Sequence, residues 1–246
     1  YASSIARSIK ELDKNYCIDE SLEHALQWLE AKSLPTKAYD IVFEVNAFAS
    51  LFGCFGGIFS GKGAMDKVNP FADSLGQKIM SEEIVLWDKP NYEKAFFQSY
   101  YDSEGFEQKD LCLIENGELK TFYHNTATAN YLKAESNARA ARGAKSALGV
   151  SGTTKVFNPG KTAQSDLTSG EYLEVLSMQG LHSGSDSYSG EFSFAASGYL
   201  CRDGKRVKPV KGVTVSGNFY QMMKDVKIVG DQVHTTHHND FFAPSL

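Results

Sequence analysis

Two dipeptides settle much of the architecture of this chain before anything is counted. Asn116-Gly117 separates L-C-L-I-E from E-L-K-T-F, and Asp203-Gly204 separates G-Y-L-C-R from K-R-V-K-P-V. A two-residue type I′ turn needs positive φ at both central positions, which Asn or Asp followed by Gly accepts at least cost. Each dipeptide therefore predicts an antiparallel β-hairpin, and two hairpins so far apart predict a meandering sheet. Tyr39 to Val45, Tyr172 to Met178, Phe192 to Cys201 and Val213 to Val215 are further strand candidates, rich in β-branched and aromatic residues.

Helical signals frame these strands. In Ser21 to Leu29 the apolar residues Leu22, Ala25, Leu26 and Leu29 follow the i, i+3, i+4, i+7 rule. That spacing predicts an amphipathic helix with one buried stripe, capped at Asp19 or Ser21 and ended before Pro35. Ala47 to Phe55 reads as an apolar helix capped by Asn46, and Phe219 to Val226 as another capped by Asn218. From 143 to 170 the composition shifts to Gly, Ser, Thr and Lys, as in a long functional loop. The expectation is an α+β fold of mainly antiparallel sheet, barrel-like or layered, with several flanking helices. Residues 1–36 are expected to form a helical lead-in and residues 37–246 the domain itself. A chain that opens in mid-pattern and stops on strand-like F-F-A-P-S-L is also expected to be a fragment of a longer protein.

Composition narrows the function classes. With 25 Lys and Arg against 30 Asp and Glu, the net charge of -5 supplies no basic field for a nucleic-acid backbone. No apolar run approaches the ~20 residues of a membrane span, and no basic stretch followed by an apolar one opens the sequence. Cys17, Cys54, Cys112 and Cys201 form no C-x-x-C pair and stand among apolar or strand-like neighbours, as reduced buried thiols would. A soluble, cytoplasmic protein is the expectation.

Several stretches could carry chemistry by themselves. G-G-I-F-S-G-K-G at 56–63 approaches a P-loop, with Gly56, Gly61 and Lys62 in place, but Gly63 stands where the Mg²⁺-binding hydroxyl belongs. A P-loop also follows a strand directly, whereas here an apolar helix intervenes, so the glycines read as a helix end. His234, His237 and His238, with Asp231, Asn239 and Asp240 nearby, could bind a metal, or could form a solvated loop between strand-like flanks. His24, His124 and His182 stand alone. The run S-G-S-D-S-Y-S-G at 183–190 shows turn chemistry without a G-x-S-x-G elbow. Asp102 and Glu104 could serve as acid and base, or as a charged turn.

Taken in order, several segments resemble the TldD/PmbA family, and its PmbA (TldE) branch in particular. They are L-F-G-C-F-G-G-I-F-S-G from Leu51, D-S-L-G from Asp73, D-S-E-G from Asp102, I-E-N-G-E-L from Ile114, S-G-E-F-S-F-A-A-S-G-Y from Ser189 and P-V-K-G-V-T-V-S-G-N from Pro209. The resemblance spans nearly the whole chain. It implies the C-terminal domain of a two-domain protein together with the preceding linker. It also implies a pairing in which a TldD-like subunit is a zinc metalloprotease and the PmbA-like subunit is its companion, in maturation of peptides and degradation of unfolded polypeptides.

In the protease branch, H-E-x-x-x-H supplies two zinc ligands and a general base, and a Cys near the C-terminus supplies a further ligand. Aligned on the closing glycine, this chain offers Phe52 and Gly53 for the first His and Glu, and Gly57 for the second His; Cys54 matches no ligand. Phe and Gly bring no lone pair and no base, so the resemblance implies a pseudoenzyme subunit with no metal or other cofactor of its own. Zinc is expected in a TldD-like partner, within a heterodimer, and Tyr188, Gly190, Phe192 and Ser193 are candidates for lining an extended polypeptide. Two alternatives stand beside this: a peptidase using the His234, His237 and His238 cluster, and a non-enzymatic homodimeric binding or scaffold protein.

Overall fold

The computed structural model describes residues 2–246. In chain order the elements are α1 (Lys14–Leu29), β1 (Asp40–Phe43), α2 (Val45–Phe55), α3 (Gly61–Met65), β2 (Leu86–Asp88), β3 (Leu111–Glu115), β4 (Glu118–Leu119) and α4 (Thr126–Leu132). There follow β5 (Ala140–Ala141), β6 (Gly149–Val150), β7 (Lys155–Phe157), α5 (Gln164–Leu167), β8 (Glu171–Gln179), β9 (Glu191–Arg202), β10 (Lys205–Asn218), α6 (Phe219–Lys224), β11 (Val233–Thr235) and β12 (Phe241–Pro244). One sheet runs β1-β8-β9-β10, a second β11-β12-β7-β2-β3-β4, and β5 pairs with β6. The arrangement is α+β, layered and mostly antiparallel, without a closed barrel among the described residues.

Both hairpin turns form as their dipeptides require. Asn116 and Gly117 adopt φ of 50° and 78°, and Asp203 and Gly204 adopt 49° and 74°. The strand read at Val213 to Val215 is only part of β10, which runs across Pro209 and Gly212; Pro209, opposite Tyr199, is tolerated because β10 is an edge strand, and a register shift between Val210 and Val213 absorbs Gly212. The sheets are mainly antiparallel, as expected, and two pairings are parallel, β1 with β8 and β12 with β7. The stretch 143–170 is not one loop: β6, β7 and α5 lie within it, and Val156 and Phe157 are buried.

The core is aromatic and gathers around α2, whose buried residues are Ala47, Phe48, Leu51, Phe52 and Phe55. Phe48 and Phe52 meet Phe157 and Phe241 of the six-stranded sheet, while Phe55 meets Phe192 of the four-stranded one and stacks on Phe219 at 4.6 Å. The helix thus joins the two sheets through one face each. Its cap is Glu44, whose Oε2 accepts from Asn46 N at 2.8 Å, and not Asn46 as the sequence suggested. For α1 the cap is Asp13 rather than Asp19 or Ser21, because the helix begins about two turns earlier than its periodicity shows.

The stripe on α1 is not buried. Leu22 and Leu26 are each 57% exposed and Leu29 79%. Instead the helix leans on the four-stranded sheet through Trp28, which stacks on Tyr199 at 6.0 Å, and through Gln27, which accepts from the Tyr199 hydroxyl.

Candidate functional site

A cavity of about 570 Å³ opens at the N-terminal end of α2, where β1, β8, β11 and α5 converge. Phe43, Glu44, Phe48, Gln164, His234 and His237 line it. The local fold explains their meeting: β1 enters the sheet beside β8, the backbone turns at Glu44, and α2 starts immediately behind it. Asn46 ties the walls together. Its Nδ2 donates to Glu44 Oε1 at 2.8 Å, and its Oδ1 accepts from His237 N at 2.9 Å.

Other groups tune the polarity of the cavity. Burial, together with the neighbouring Cys201 thiol, pushes the Tyr172 hydroxyl up to about 12, so at neutral pH it is protonated and can donate. Glu174 on the same wall is held by Arg206, whose Nε donates to Oε2 at 2.7 Å. The Gln164 Oε1 atom is closed to solvent and has no hydrogen-bond partner among the described residues. Carboxylate, hydroxyl, imidazole and amide groups thus surround an apolar floor.

The residues singled out in the sequence fall in different places. Phe52 is buried among Phe48, Phe59, Phe157, Phe219 and Phe241, where no solvent-borne ion reaches. Gly53 is on the same helix and Gly57 in the 3-10 turn Gly56–Phe59 that follows. The wall of the cavity holds Phe43, Glu44, Val45, Asn46 and Phe48, among which Glu44 is the one ionisable side chain.

His234 and His237 join that cavity, but His234, His237 and His238 are all exposed. Among the described residues no three His, Cys, Asp or Glu gather in a group that could hold a metal ion. The donor set at 43–48 does not fit zinc either, since Phe43 and Phe48 offer no lone pair. The four candidates for peptide lining are dispersed: Tyr188 is exposed on a turn, Phe192 is in the core, and Ser193 points to the opposite face of β9. Gly190, at φ 86°, is required by its turn, for a Cβ there would lie 2.5 Å from the Tyr220 ring.

The remaining motifs resolve as structure. Ser60 caps α3 through Gly63 N at 3.0 Å, and Lys62 pairs with Asp66, so the P-loop-like stretch is a helix start following a glycine turn. Asp102 accepts from the backbone N–H groups of Glu104, Phe106 and Ala140, which makes the D-S-E-G stretch a turn. His124 is buried with its Nδ1 3.3 Å from Thr128 Oγ1, and burial lowers its pKa. All four cysteines are free, although only Cys201 is buried.

Residues 36–246 match the family described as the PmbA/TldA metallopeptidase C-terminal domain. The chain belongs to this family. Among PmbA/TldD relatives, a metalloprotease of Methanothermobacter thermautotrophicus is 33% identical over 222 residues, covering 85% of this chain and 46% of the relative. The metalloprotease PmbA of Escherichia coli O157:H7 is 24% identical over 237 residues, covering 96% of this chain and 50% of the relative. A solved Thermotoga maritima structure, described as a candidate modulator of DNA gyrase, superposes with a TM-score of 0.87 at 26% identity, covering 98% of this chain and 55% of that one. This PmbA/TldD domain thus spans about half the length of the curated relatives it matches. No helix among its described residues is long and apolar enough to cross a membrane.

Proposed function

We propose that this domain belongs to a PmbA/TldE-like subunit that has no zinc centre of its own and works beside a TldD-like metalloprotease, in proteolysis or maturation of peptides and unfolded polypeptides. One observation carries the reading: at the positions that resemble the H-E-x-x-x-H stretch, Phe52 is packed in the aromatic core and Gly53 and Gly57 have no side chain that could bind metal. Glu44, on the wall of the cavity, is occupied as a helix cap and by Asn46. The cavity then serves to hold extended chain on its way to a catalytic partner, and the zinc belongs to that partner.

The test is metal analysis of the purified protein together with capture of its companion from native extract. The reading expects less than 0.1 zinc per chain, on the order of trace occupancy, and a co-purifying protein carrying H-E-x-x-x-H. Stoichiometric zinc with partner-independent proteolysis would refute it, and a stable homodimer with no companion would favour the scaffold alternative.

A further inference from the structure

Helix α1 supplies part of the wall of the 43–48 cavity. Tyr16, in its first turn, lines that cavity together with Val42, Glu44, Tyr172 and Glu174. Burial, then Glu20, Cys17 and Glu44, raise the Tyr16 pKa, as expected of a hydroxyl set near the Glu44 carboxylate. The other end of the helix lies on β9 and β10. There Trp28 stacks on Tyr199 at 6.0 Å, Gln27 accepts from the Tyr199 hydroxyl, and Lys211 Nζ donates to Trp28 O at 3.1 Å. Just beyond, Lys32 N donates to Pro209 O at 3.4 Å and Lys211 N to Lys32 O at 3.2 Å, which fixes the chain to the edge of the sheet. One helix therefore reaches from that edge to the cavity, about 18 Å from Tyr16 to Trp28 at ~1.5 Å per residue.

The attachment of α1 is uneven. From Asp13 to Leu26, the hydrogen bonds and ion pairs among the described residues stay inside the lead-in itself. Asp13 N donates to Ser4 Oγ, Asp13 Oδ1 accepts from Tyr16 N, and His24 lies 3.0 Å from Glu20. No residue of α1 is fully buried, and Ile18, Leu22 and Leu26 are all more than half exposed. The apolar packing that holds most helices to their domain is thus missing along the front of this one. Ahead of the helix there is a further tie, from Arg7 Nη2 to Ala95 O at 2.8 Å. Elements with few buried apolar contacts are the ones that open well below the cost of global unfolding.

We propose that α1 is a lid on the 43–48 cavity, hinged where Trp28 and Lys32 meet β9 and β10 and latched where Arg7 meets Ala95. Release of the latch swings Tyr16 off the rim and widens the cavity into a groove along Glu44, Tyr172 and Glu174. The exposed stripe fits this device, because a helix that buries little apolar surface can leave the sheet without uncovering any. The lid regulates entry to the cavity used in the proposed function and rests on that reading for its purpose, whereas the motion does not depend on it.

The experiment uses the purified protein with two mass-spectrometric readouts: amide hydrogen exchange, and hydroxyl-radical oxidation of Tyr172, which is 7% exposed on the cavity wall. In the unaltered chain, amides of 14–26 should exchange on the order of a hundredfold faster than those of β9. Arg7→Ala should speed both exchange across 14–22 and oxidation of Tyr172 by the same factor, about fivefold for one lost hydrogen bond. Trp28→Ala, at the hinge, should also speed both. Tyr123, buried and outside the cavity, should be oxidised no faster in either variant. The proposal is overturned if α1 is as protected as β9, if Tyr172 oxidation stays constant while α1 exchange rises, or if Tyr123 rises in step with Tyr172. Neither readout involves zinc, a companion or a polypeptide, so the lid can fail while the subunit reading stands, and the reverse.

Discussion

Arg139 Nε donates to Asp88 Oδ1 at 2.7 Å, and neither side chain has any exposure to solvent. Around this pair, Lys155 Nζ lies 3.2 Å from Asp88 Oδ2, Thr153 donates to both carboxylate oxygens, and the remaining Arg139 donors reach the carbonyls of Asn137 and Lys109. The cluster fastens the end of β2 to the segment leading into β5. Removing one partner leaves an uncompensated buried charge. Asp88→Ala is expected to cost about 3–5 kcal/mol, read from urea denaturation.

Acid should unfold the domain in two steps. Burial lowers the His124 pKa from its ordinary 6.5, so the fold favours neutral imidazole. Its contribution is complete above pH 6.5 and is lost as pH falls through the lower folded value. Burial acts to raise the Asp88 pKa, but Lys155, Arg139 and the Thr153 hydrogen bonds outweigh it and hold the carboxyl below its ordinary 3.8. That contribution is complete above 3.8 and disappears only as pH falls beneath it. A stability profile against pH should show both losses, and His124→Gln should abolish the first while leaving the second. A single unchanged step in that variant would refute the assignment.

What the sequence shows of this fold is what local chemistry determines. Asn116-Gly117 and Asp203-Gly204 specify their turns unaided, and Asn218 caps α6 as read. Parallel pairing of β1 with β8 leaves no such trace, because its partners lie more than a hundred residues apart and no short turn joins them. Asp88 and Arg139 are likewise invisible as a pair, being 51 positions apart. The cavity at Glu44 was not legible, because the strands and helices that form its walls, β1, β8, β11 and α5, are far apart in the sequence and meet only in the fold.

Phe52 and Phe43 separate the core from the cavity experimentally. Phe52 packs against five other rings, from the six-stranded sheet, α2, α6 and the 3-10 turn after α2. Phe52→Ala should therefore destabilise the domain by about 3–5 kcal/mol, measured by thermal and urea unfolding. Phe43→Ala, on the half-buried wall of the cavity, should cost less and should alter polypeptide handling with the companion subunit instead.

The exposed stripe of α1 provides the last contrast. Periodicity alone would make Leu22, Leu26 and Leu29 the anchors of the helix, yet all three face away from the sheet. Replacing them with Ser should change the stability of this chain by no more than about 0.5 kcal/mol, as at ordinary surface positions. Trp28→Ala removes the stack on Tyr199 and should cost about 1 kcal/mol beyond the area it uncovers. It should also release α1 from the β9-β10 face, seen as faster amide exchange across Lys14–Leu29. If the leucine variants proved the more damaging, the helix would have to pack by its apolar stripe, and the contacts of Trp28 and Gln27 with Tyr199 would be incidental.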